Sequence, residues 1–153
     1  MNKKITIAID AMGGDNSPDK ILKATDLFLK KNPSSDDFIL NLFGNERIIK
    51  EKIRNLKIPL KNIIITHTES VISDEDTPLT AIKNSKNTSM WNCIQSQING
   101  DSDISLSAGN TGVLLVISRM ILKMMDKVNK PALAGLWPNE NGMNVVLDLG
   151  ANI

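Results

Sequence analysis

The sequence predicts an α/β protein, a three-layer αβα sandwich with a mostly parallel sheet covered by helices on both faces. Short apolar runs rich in β-branched residues alternate with segments of helical periodicity along nearly the whole chain. A polar or glycine-containing turn follows most of these runs. The 153 residues are 41% hydrophobic and 23% charged, which predicts one globular domain over residues 1–153.

Three short runs of β-branched, leucine and aromatic residues predict the first three strands. They cover Ile5 to Ile9, Phe38 to Phe43 and Ile63 to Ile65. Between them, apolar residues recur with the period of a helix over 21–29 and 48–56. Ser17 is predicted to cap the first of these helices, with Pro18 at its first position. Asn32-Pro33 and Pro59 mark the two helix ends.

The second half continues the alternation and ends in a hairpin. Thr77-Pro78 begins a helical region that is predicted to reach Ile98. A fourth strand at Ile104 to Leu106 precedes an apolar helix from Val113 to about Met125. The last two strands are predicted over 132–136 and 144–149. The turn between them, at 138–142, is short enough for an antiparallel pair.

Composition excludes several classes of function. The chain has 18 basic and 17 acidic residues, so its net charge of +1 gives no general attraction to nucleic acid. A single cysteine, Cys93, cannot form an internal disulfide and fits a reducing compartment. The apolar run before Asp10 is too short for a signal segment or a membrane span. We therefore expect a cytoplasmic protein with no nucleic-acid partner.

Three glycine-containing loops follow predicted strands, and they are the candidate site. They lie at 10–15, 107–112 and 148–152. Ligands of open parallel sheets bind beyond the carboxyl ends of the strands, and amides at a helix N-terminus favour an anion. Asn110 and Thr111 add side-chain donors for phosphate or for the oxyanion of a thioester under attack. Each loop alone is equally well explained as a tight turn, but three at equivalent strand ends favour a site.

Other reactive side chains carry weaker signals. Lys83 and Lys86 are three residues apart, so on a helix they would share a cationic face for phosphate or an acidic carrier. An ordinary solvated face is the favoured reading of that pair. His67, the only histidine, is either a general base or, more commonly, a loop residue, and no Ser-His-Asp spacing accompanies it. Cys93 lies among apolar residues and is interpreted as a buried small side chain.

Neither a metal nor a cofactor is predicted. No cluster of histidine, cysteine or carboxylate residues has the spacing of metal ligands. The loop at 10–15 does not fit the dinucleotide fingerprint, and no Gly-Lys-Ser/Thr sequence of a Walker loop is present.

Five motifs, in order, resemble the phosphate acyltransferase (PlsX) family. They lie at 7–15, 86–90, 107–112, 130–133 and 146–152. The resemblance implies a Rossmann-like sandwich related to isocitrate and isopropylmalate dehydrogenases. It also implies a homodimeric cytosolic enzyme of phospholipid synthesis, with peripheral membrane contact open. Its reaction would be the direct attack of inorganic phosphate on an acyl thioester of acyl carrier protein, and a membrane glycerol-3-phosphate acyltransferase would be a further partner.

The site residues that follow from the loops and the resemblance fall into two groups. Asn110 and Thr111 are the expected catalytic donors. The expected substrate- and phosphate-binding residues are Asp10, Gly13, Gly14, Asp15, Lys83, Lys86, Ser89, Ser107, Gly109, Gly112, Asp148 and Asn152.

The sequence departs from the family at two places, and it leaves two alternatives open. Lys130 stands where the family often has arginine, and Asn87-Thr88 replaces an acidic-serine pair. Family members continue well past residue 152, so the chain is expected to correspond to their N-terminal half. One alternative is therefore a binding half, or an inactive fragment, that needs a separate C-terminal half. The other is a phosphotransacetylase-like enzyme that uses acyl-coenzyme A.

Overall fold

A four-stranded parallel sheet forms the centre of the computed structural model, which describes residues 3–33, 36–73, 77, 80 and 83–149. The strands are β1 (Ile5–Asp10), β2 (Phe38–Gly44), β3 (Ile63–His67) and β4 (Ile104–Leu106), in the order β3-β2-β1-β4. The chain thus adds β2 and then β3 on one side of β1, and afterwards adds β4 on the other side of β1. That reversal makes the carboxyl ends of β1 and β4 the topological switch point, where such sheets bind ligands.

Within the described residues, four complete helices cover the two faces of the sheet. They are α1 (Asp19–Lys31), α2 (Glu46–Leu56), α3 (Ser89–Ile98) and α4 (Thr111–Leu122). Successive strand residues point to opposite faces, and β2 shows the consequence. Leu42 packs with the buried residues of α1 and α2, whereas Phe43 packs with Cys93 of α3. The α3–α4 pair has a further apolar core around Met90 and Ile117. The predicted αβα layering is confirmed.

A separate antiparallel hairpin follows the last helix. It consists of β5 (Ala134–Asn139) and β6 (Gly142–Leu147). Within the described residues these two strands pair only with each other. Many of their apolar side chains face solvent, among them Leu136, Trp137 and Val145. The predicted antiparallel pairing is confirmed, although β5 lies about two residues later than expected.

Three boundary predictions were wrong, each for a local reason. The Ser17 hydroxyl does not cap α1 but donates to the Gly13 carbonyl oxygen at 2.5 Å. The predicted helical region from Thr77-Pro78 to Ile98 is divided: Pro78 lies outside the described residues, the backbone is helical at Thr80, Lys83 and Asn84, and the left-handed Asn87 (φ 68°) separates these from α3, which Thr88 caps. Helix α4 ends at Leu122, since Lys123 is also left-handed (φ 63°) with an extended ψ. No helix in the described ranges has the length and apolar character needed to cross a membrane.

Candidate functional site

A buried carboxylate joins two of the three predicted loops at the switch point. Asp10 is the last residue of β1 and is almost fully buried. Its Oδ2 accepts a hydrogen bond from the Ser107 hydroxyl at 2.7 Å, and its Oδ1 accepts from the Met12 amide at 3.2 Å. The Gly109 amide in turn donates to the Ser107 oxygen at 3.1 Å. We call residues 10–14 and 107–110, linked in this way, the loop cluster.

Three glycines allow the two loops to approach this closely. A Cβ at Gly13 would lie 2.3 Å from Asp10 Oδ2, and a Cβ at Gly14 would lie 2.2 Å from the carbonyl oxygen of Ala108. Gly14 also has a left-handed backbone with φ +83°. A Cβ at Gly109 would lie 2.9 Å from Met90 Cε and 3.4 Å from Gly13 Cα. The predicted role of these glycines in shaping the backbone is therefore consistent with their contacts.

The N-terminus of α4 opens from the second loop. Asn110 is the N-cap residue, and its side-chain oxygen accepts from the Val113 amide at 3.1 Å. The Leu114 amide makes the first backbone bond of the helix, to the Asn110 carbonyl. The amides of Thr111 and Gly112 precede that bond, so they belong to the first-turn N–H groups that have no acceptor within a helix. Together with the helix dipole, they favour a bound anion.

A second helix N-terminus, that of α3, reaches the same place. The Thr88 hydroxyl caps α3 by accepting from the Trp91 amide at 3.3 Å. Met90, in the first turn, extends its side chain to Gly109. Ser89 is fully buried, and its hydroxyl makes no hydrogen bond to the protein. Two positive helix ends therefore lie beside a loop that contains the buried Asp10 charge, and they offset its repulsion of an anion.

The remaining predicted residues divide between this site and other places. Asp15 is exposed in the turn after Gly14, and Gly112 lies within the first turn of α4 instead of the loop. The prediction that Lys83 and Lys86 share a helix face was wrong. Lys86 lies in the turn before Asn87, outside the helical backbone at Lys83, and both side chains are exposed.

The third loop does not join the cluster in the described structure. Asp148 follows β6 of the hairpin, is exposed, and donates its backbone amide to the Leu133 carbonyl at 3.0 Å. The expectation that 148–152 lies at an equivalent strand end was therefore wrong for Asp148, because β6 is outside the parallel sheet. Asn152 lies outside the described residues.

The other reactive side chains have structural explanations. Burial, followed by the charge of Asp10, raises the pKa of the Cys93 thiol to about 12, so Cys93 is protonated near neutral pH. Nδ1 of His67 accepts from the Glu46 amide at 3.2 Å, at the start of α2. Across the described part of the chain, no group of three metal-binding side chains was found.

Two features of the site were missed at the level of sequence. Thr88 directly precedes an apolar run, which is an N-cap signal that could have located the start of α3. The second is the Ser89 hydroxyl, which is buried without a hydrogen-bond partner. No pattern in the sequence indicates that property, because it depends on how the folded chain packs around Ser89.

Comparisons with known proteins point to one kind of enzyme. A family model described as "Fatty acid synthesis protein" matches residues 5–153. The chain is 50% identical over its whole length to a phosphate acyltransferase of Pelagibacter ubique, of which it covers 44%. It is 37% identical to a phosphate acyltransferase of Parvibaculum lavamentivorans and 35% identical to one of Rhodopseudomonas palustris. It covers 42% and 43% of those proteins, so it spans less than half the length of these relatives.

Proposed function

The chain belongs to the fatty acid synthesis protein family, whose model corresponds to the PlsX type, and from that premise we propose that it carries the phosphate site of an acyltransferase. The reaction is the transfer of an acyl group from the thioester of acyl carrier protein to inorganic phosphate, giving acyl phosphate for phospholipid synthesis. The relatives named phosphate acyltransferase support the reaction class. The acyl carrier is the part of the proposal that rests on family resemblance.

The reaction requires the protein mainly to position the two reactants and to compensate their negative charge. A phosphate oxygen attacks the thioester carbonyl carbon, the carbonyl oxygen becomes an oxyanion, and the carbon–sulfur bond breaks to release the carrier thiol. Phosphate is already a nucleophile, so no activated serine or cysteine is required. Positioning the two reactants and stabilising the oxyanion are the main contributions open to the site. That agrees with a Cys93 thiol whose pKa is raised to about 12.

We assign roles within the loop cluster and the first turn of α4 on this basis. The first-turn amides of Thr111 and Gly112, with the side chains of Asn110 and Thr111, donate to phosphate or to the oxyanion. Asp10 and Ser107 are positioning residues, because they bond to each other and to the loop backbone. The observation that carries the proposal is the junction of the β1 and β4 loops, at the switch point and beside two helix N-termini.

The expectations about oligomeric state, location and partners concern the whole enzyme. A homodimer in the cytoplasm, with peripheral membrane contact and passage of the product to a glycerol-3-phosphate acyltransferase, is consistent with the family resemblance. The exposed Lys83 and Lys86 would attract phosphate or the acidic carrier protein. The acyl-coenzyme A alternative differs in the surface it requires, because a nucleotide pocket would replace a basic docking surface.

Acyl-phosphate synthesis, trapped with hydroxylamine, tests the proposal. The assay uses the purified chain and a chimera in which the chain replaces the matching segment of the Pelagibacter ubique relative. Each is supplied with phosphate and either acyl carrier protein or coenzyme A thioesters. We expect Asn110→Ala and Gly109→Val to lower kcat/KM of the chimera at least tenfold. Asn144→Ala, on the exposed hairpin, is the matched control and should retain full activity.

Three results would contradict the proposal in different ways. A chimera that folds but makes no acyl phosphate from either donor would contradict the proposed reaction. Full activity in both loop variants would contradict the assignment of the site to the loop cluster but not the proposed reaction. Preference for the coenzyme A thioester would contradict the acyl carrier and support the phosphotransacetylase-like alternative. Activity in the chimera alone would leave the proposal standing and show that this half needs its C-terminal counterpart.

A further inference from the structure

Ser17 contacts both carbonyl groups of the glycine pair in the first loop. Its hydroxyl donates to the Gly13 carbonyl oxygen at 2.5 Å, and its amide donates to the Gly14 carbonyl oxygen at 3.3 Å. The hydroxyl makes no capping bond to α1, although the sequence predicts one there. The described hydrogen bonds of Ser17 are therefore made to the loop cluster.

These two bonds also orient the amides that belong to the same peptide units. The peptide bonds from Gly13 to Gly14 and from Gly14 to Asp15 are trans, and a trans peptide unit places its N–H group opposite its carbonyl oxygen. Because the two carbonyl oxygens face Ser17, the N–H groups of Gly14 and Asp15 point away from it. Within the described part of the chain, neither of these N–H groups has a protein acceptor.

The two N–H groups form a pair of donors on consecutive residues. Gly14 has a left-handed backbone with φ +83°, and successive amides in such a turn form a concave site for an anion. Gly14 also lies against the Ala108 carbonyl, in the loop that leads to the N-terminus of α4. The pair therefore adds donors from the first loop to those at the start of α4.

Two carboxylates in the same loop would repel an anion. Both oxygens of Asp10 accept hydrogen bonds, one from the Ser107 hydroxyl and one from the Met12 amide. Asp15 is exposed, so water and salt screen its charge. Hydrogen bonds to an ionised acceptor are about twice as strong as neutral ones, so direct donation from two amides outweighs this weakened repulsion.

We propose that Ser17 is a positioning residue, which holds the Gly14 and Asp15 amides so that they bind an anionic oxygen of the reaction. The proposal rests on the function proposed above and adds to it a second set of donors and the side chain that orients them. The oxygen belongs either to inorganic phosphate or to the oxyanion formed at the thioester carbonyl. The two sources differ in time, because phosphate binds before the chemical step and the oxyanion exists only during it.

Three substitutions separate a positioning role from a purely structural one. Ser17→Ala removes the hydroxyl that bonds to the Gly13 carbonyl, and Ser17→Thr keeps a hydroxyl at the same place. Thr25→Val is the matched control, because the Thr25 hydroxyl also donates to a carbonyl four residues earlier, that of Ile21 at 2.9 Å, but within α1. Circular dichroism checks that all three variants keep the fold.

Phosphate binding is measured directly on the isotope-labelled chain, by following its amide signals in NMR spectra as inorganic phosphate is added. If phosphate is the ligand, the Gly14 and Asp15 amide signals of the wild type shift and saturate, and that of Gly142 in the exposed hairpin does not. Ser17→Ala should then weaken phosphate affinity by about fivefold or more, as expected for the loss of one orienting hydrogen bond. Ser17→Thr and Thr25→Val should bind phosphate as the wild type does.

The kinetics of the chimera identify the source of the oxygen. If it is phosphate, Ser17→Ala raises the KM for phosphate by about fivefold or more and leaves kcat nearly unchanged. If it is the oxyanion, Ser17→Ala lowers kcat by about tenfold and leaves both KM values unchanged, because the lost stabilisation exists only in the transition state. In that second case, phosphate produces no shift at Gly14 or Asp15.

The outcomes separate this inference from the function on which it rests. A Ser17→Ala protein that matches the wild type in phosphate affinity and in kinetics would overturn the inference, even if the chimera forms acyl phosphate. Equal losses in Ser17→Thr or Thr25→Val would overturn it as well, since the effect would not depend on this hydroxyl. A phosphate shift that Ser17→Ala weakens, with a chimera that forms no acyl phosphate, would support the inference and contradict the transferase function. An inactive chimera without any phosphate shift would overturn both.

Discussion

The loop cluster and the β5–β6 hairpin look alike in sequence but differ in what stabilises them. Contacts between distant segments stabilise the loop cluster, whereas the hairpin strands pair only with each other in the described structure. The loop cluster contains glycines and Asp10, and the hairpin contains Gly135 and Gly142 and is directly followed by Asp148. In the loop cluster, residues nearly a hundred positions apart are joined by the Asp10–Ser107 hydrogen bond and by close backbone packing at Gly14. Asp148, directly after the hairpin, is exposed, and the two hairpin strands pair only with each other in the described structure.

The difference shows which features identify a site. A glycine after a strand has the same appearance in both places, but only in the loop cluster does it lie against backbone from another loop. Burial of a charge is the second distinction, because a buried carboxylate is costly unless hydrogen bonds hold it. We expect substitutions in the loop cluster, or at Cys93 beside Asp10, to have large effects on stability or thiol reactivity. Equivalent substitutions in the hairpin should have small effects.

The largest expected difference concerns thiol chemistry. The pKa of Cys93 is raised from 9.0 to about 12, so at pH 8 its thiolate fraction is about a thousandfold lower than that of an ordinary thiol. Met143 of the hairpin is exposed, and a Cys93→Ala/Met143→Cys variant would place a single thiol there. Ellman's reagent should modify the hairpin thiol at least a hundredfold faster in the folded chain. Equal rates in urea confirm that folding is the cause.

The same pKa shift predicts a pH dependence of stability. Because the folded pKa is raised, the unfolded chain loses the thiol proton above pH 9 while the folded chain keeps it. The free energy of unfolding therefore falls between pH 9 and pH 12, by about 1.4 kcal/mol at pH 10. Urea titrations of the wild type and of Cys93→Ala isolate this contribution. Parallel pH profiles of the two proteins would contradict the burial of Cys93 beside Asp10.

The next difference lies in two glycines. Gly14→Ala forces a Cβ into the Ala108 carbonyl at a residue whose φ is +83°, and neither backbone can yield cheaply. We expect a loss of about 3 kcal/mol in the free energy of unfolding. Gly135→Ala in β5 meets the flexible end of Leu149 at 2.6 Å and should cost less than about 1 kcal/mol. Urea midpoints measure both, and equal losses would remove the distinction between the regions.

Two aspartates give a smaller contrast. Asp10→Ala leaves the Ser107 hydroxyl and the Met12 amide without their acceptor in a buried place, which should cost about 2 kcal/mol. Asp148→Asn, at an exposed position whose φ of 61° asparagine also tolerates, should stay within about 0.5 kcal/mol of the wild type. Asp10→Asn should recover part of the loss, because it keeps one acceptor oxygen. Thermal unfolding would decide, and an unaffected Asp10→Ala protein would mean that the two loops do not depend on this bond.

Sequence reasoning succeeded where local periodicity determines the structure. The apolar runs at Ile5 and Phe38 and the helical stripes of α1 and α2 are local signals, and each appeared close to its predicted place. It failed at Asn87, whose left-handed backbone divides the predicted helical region, and at Ser17, whose hydroxyl closes the glycine loop instead of capping α1. Those choices depend on neighbours that only the folded chain supplies.

The site divides in the same way. The loops at 10–15 and 107–112 could be predicted to meet, because both follow strands of one parallel sheet. The third loop was grouped with them because Asp148 also follows an apolar run. The short turn predicted that β6 pairs with β5, but not that this pair lies outside the parallel sheet in the described structure.

The smallest expected effect lies on the hairpin surface. Val145 is 67% exposed, so Val145→Thr removes little buried apolar area and should change the free energy of unfolding by less than about 0.5 kcal/mol. Urea denaturation at low and high protein concentration provides the measurement. A loss above 1 kcal/mol that grows with concentration would mean that a second copy covers the hairpin in solution. The hairpin would then be an interface, and its exposure would no longer distinguish it from the loop cluster.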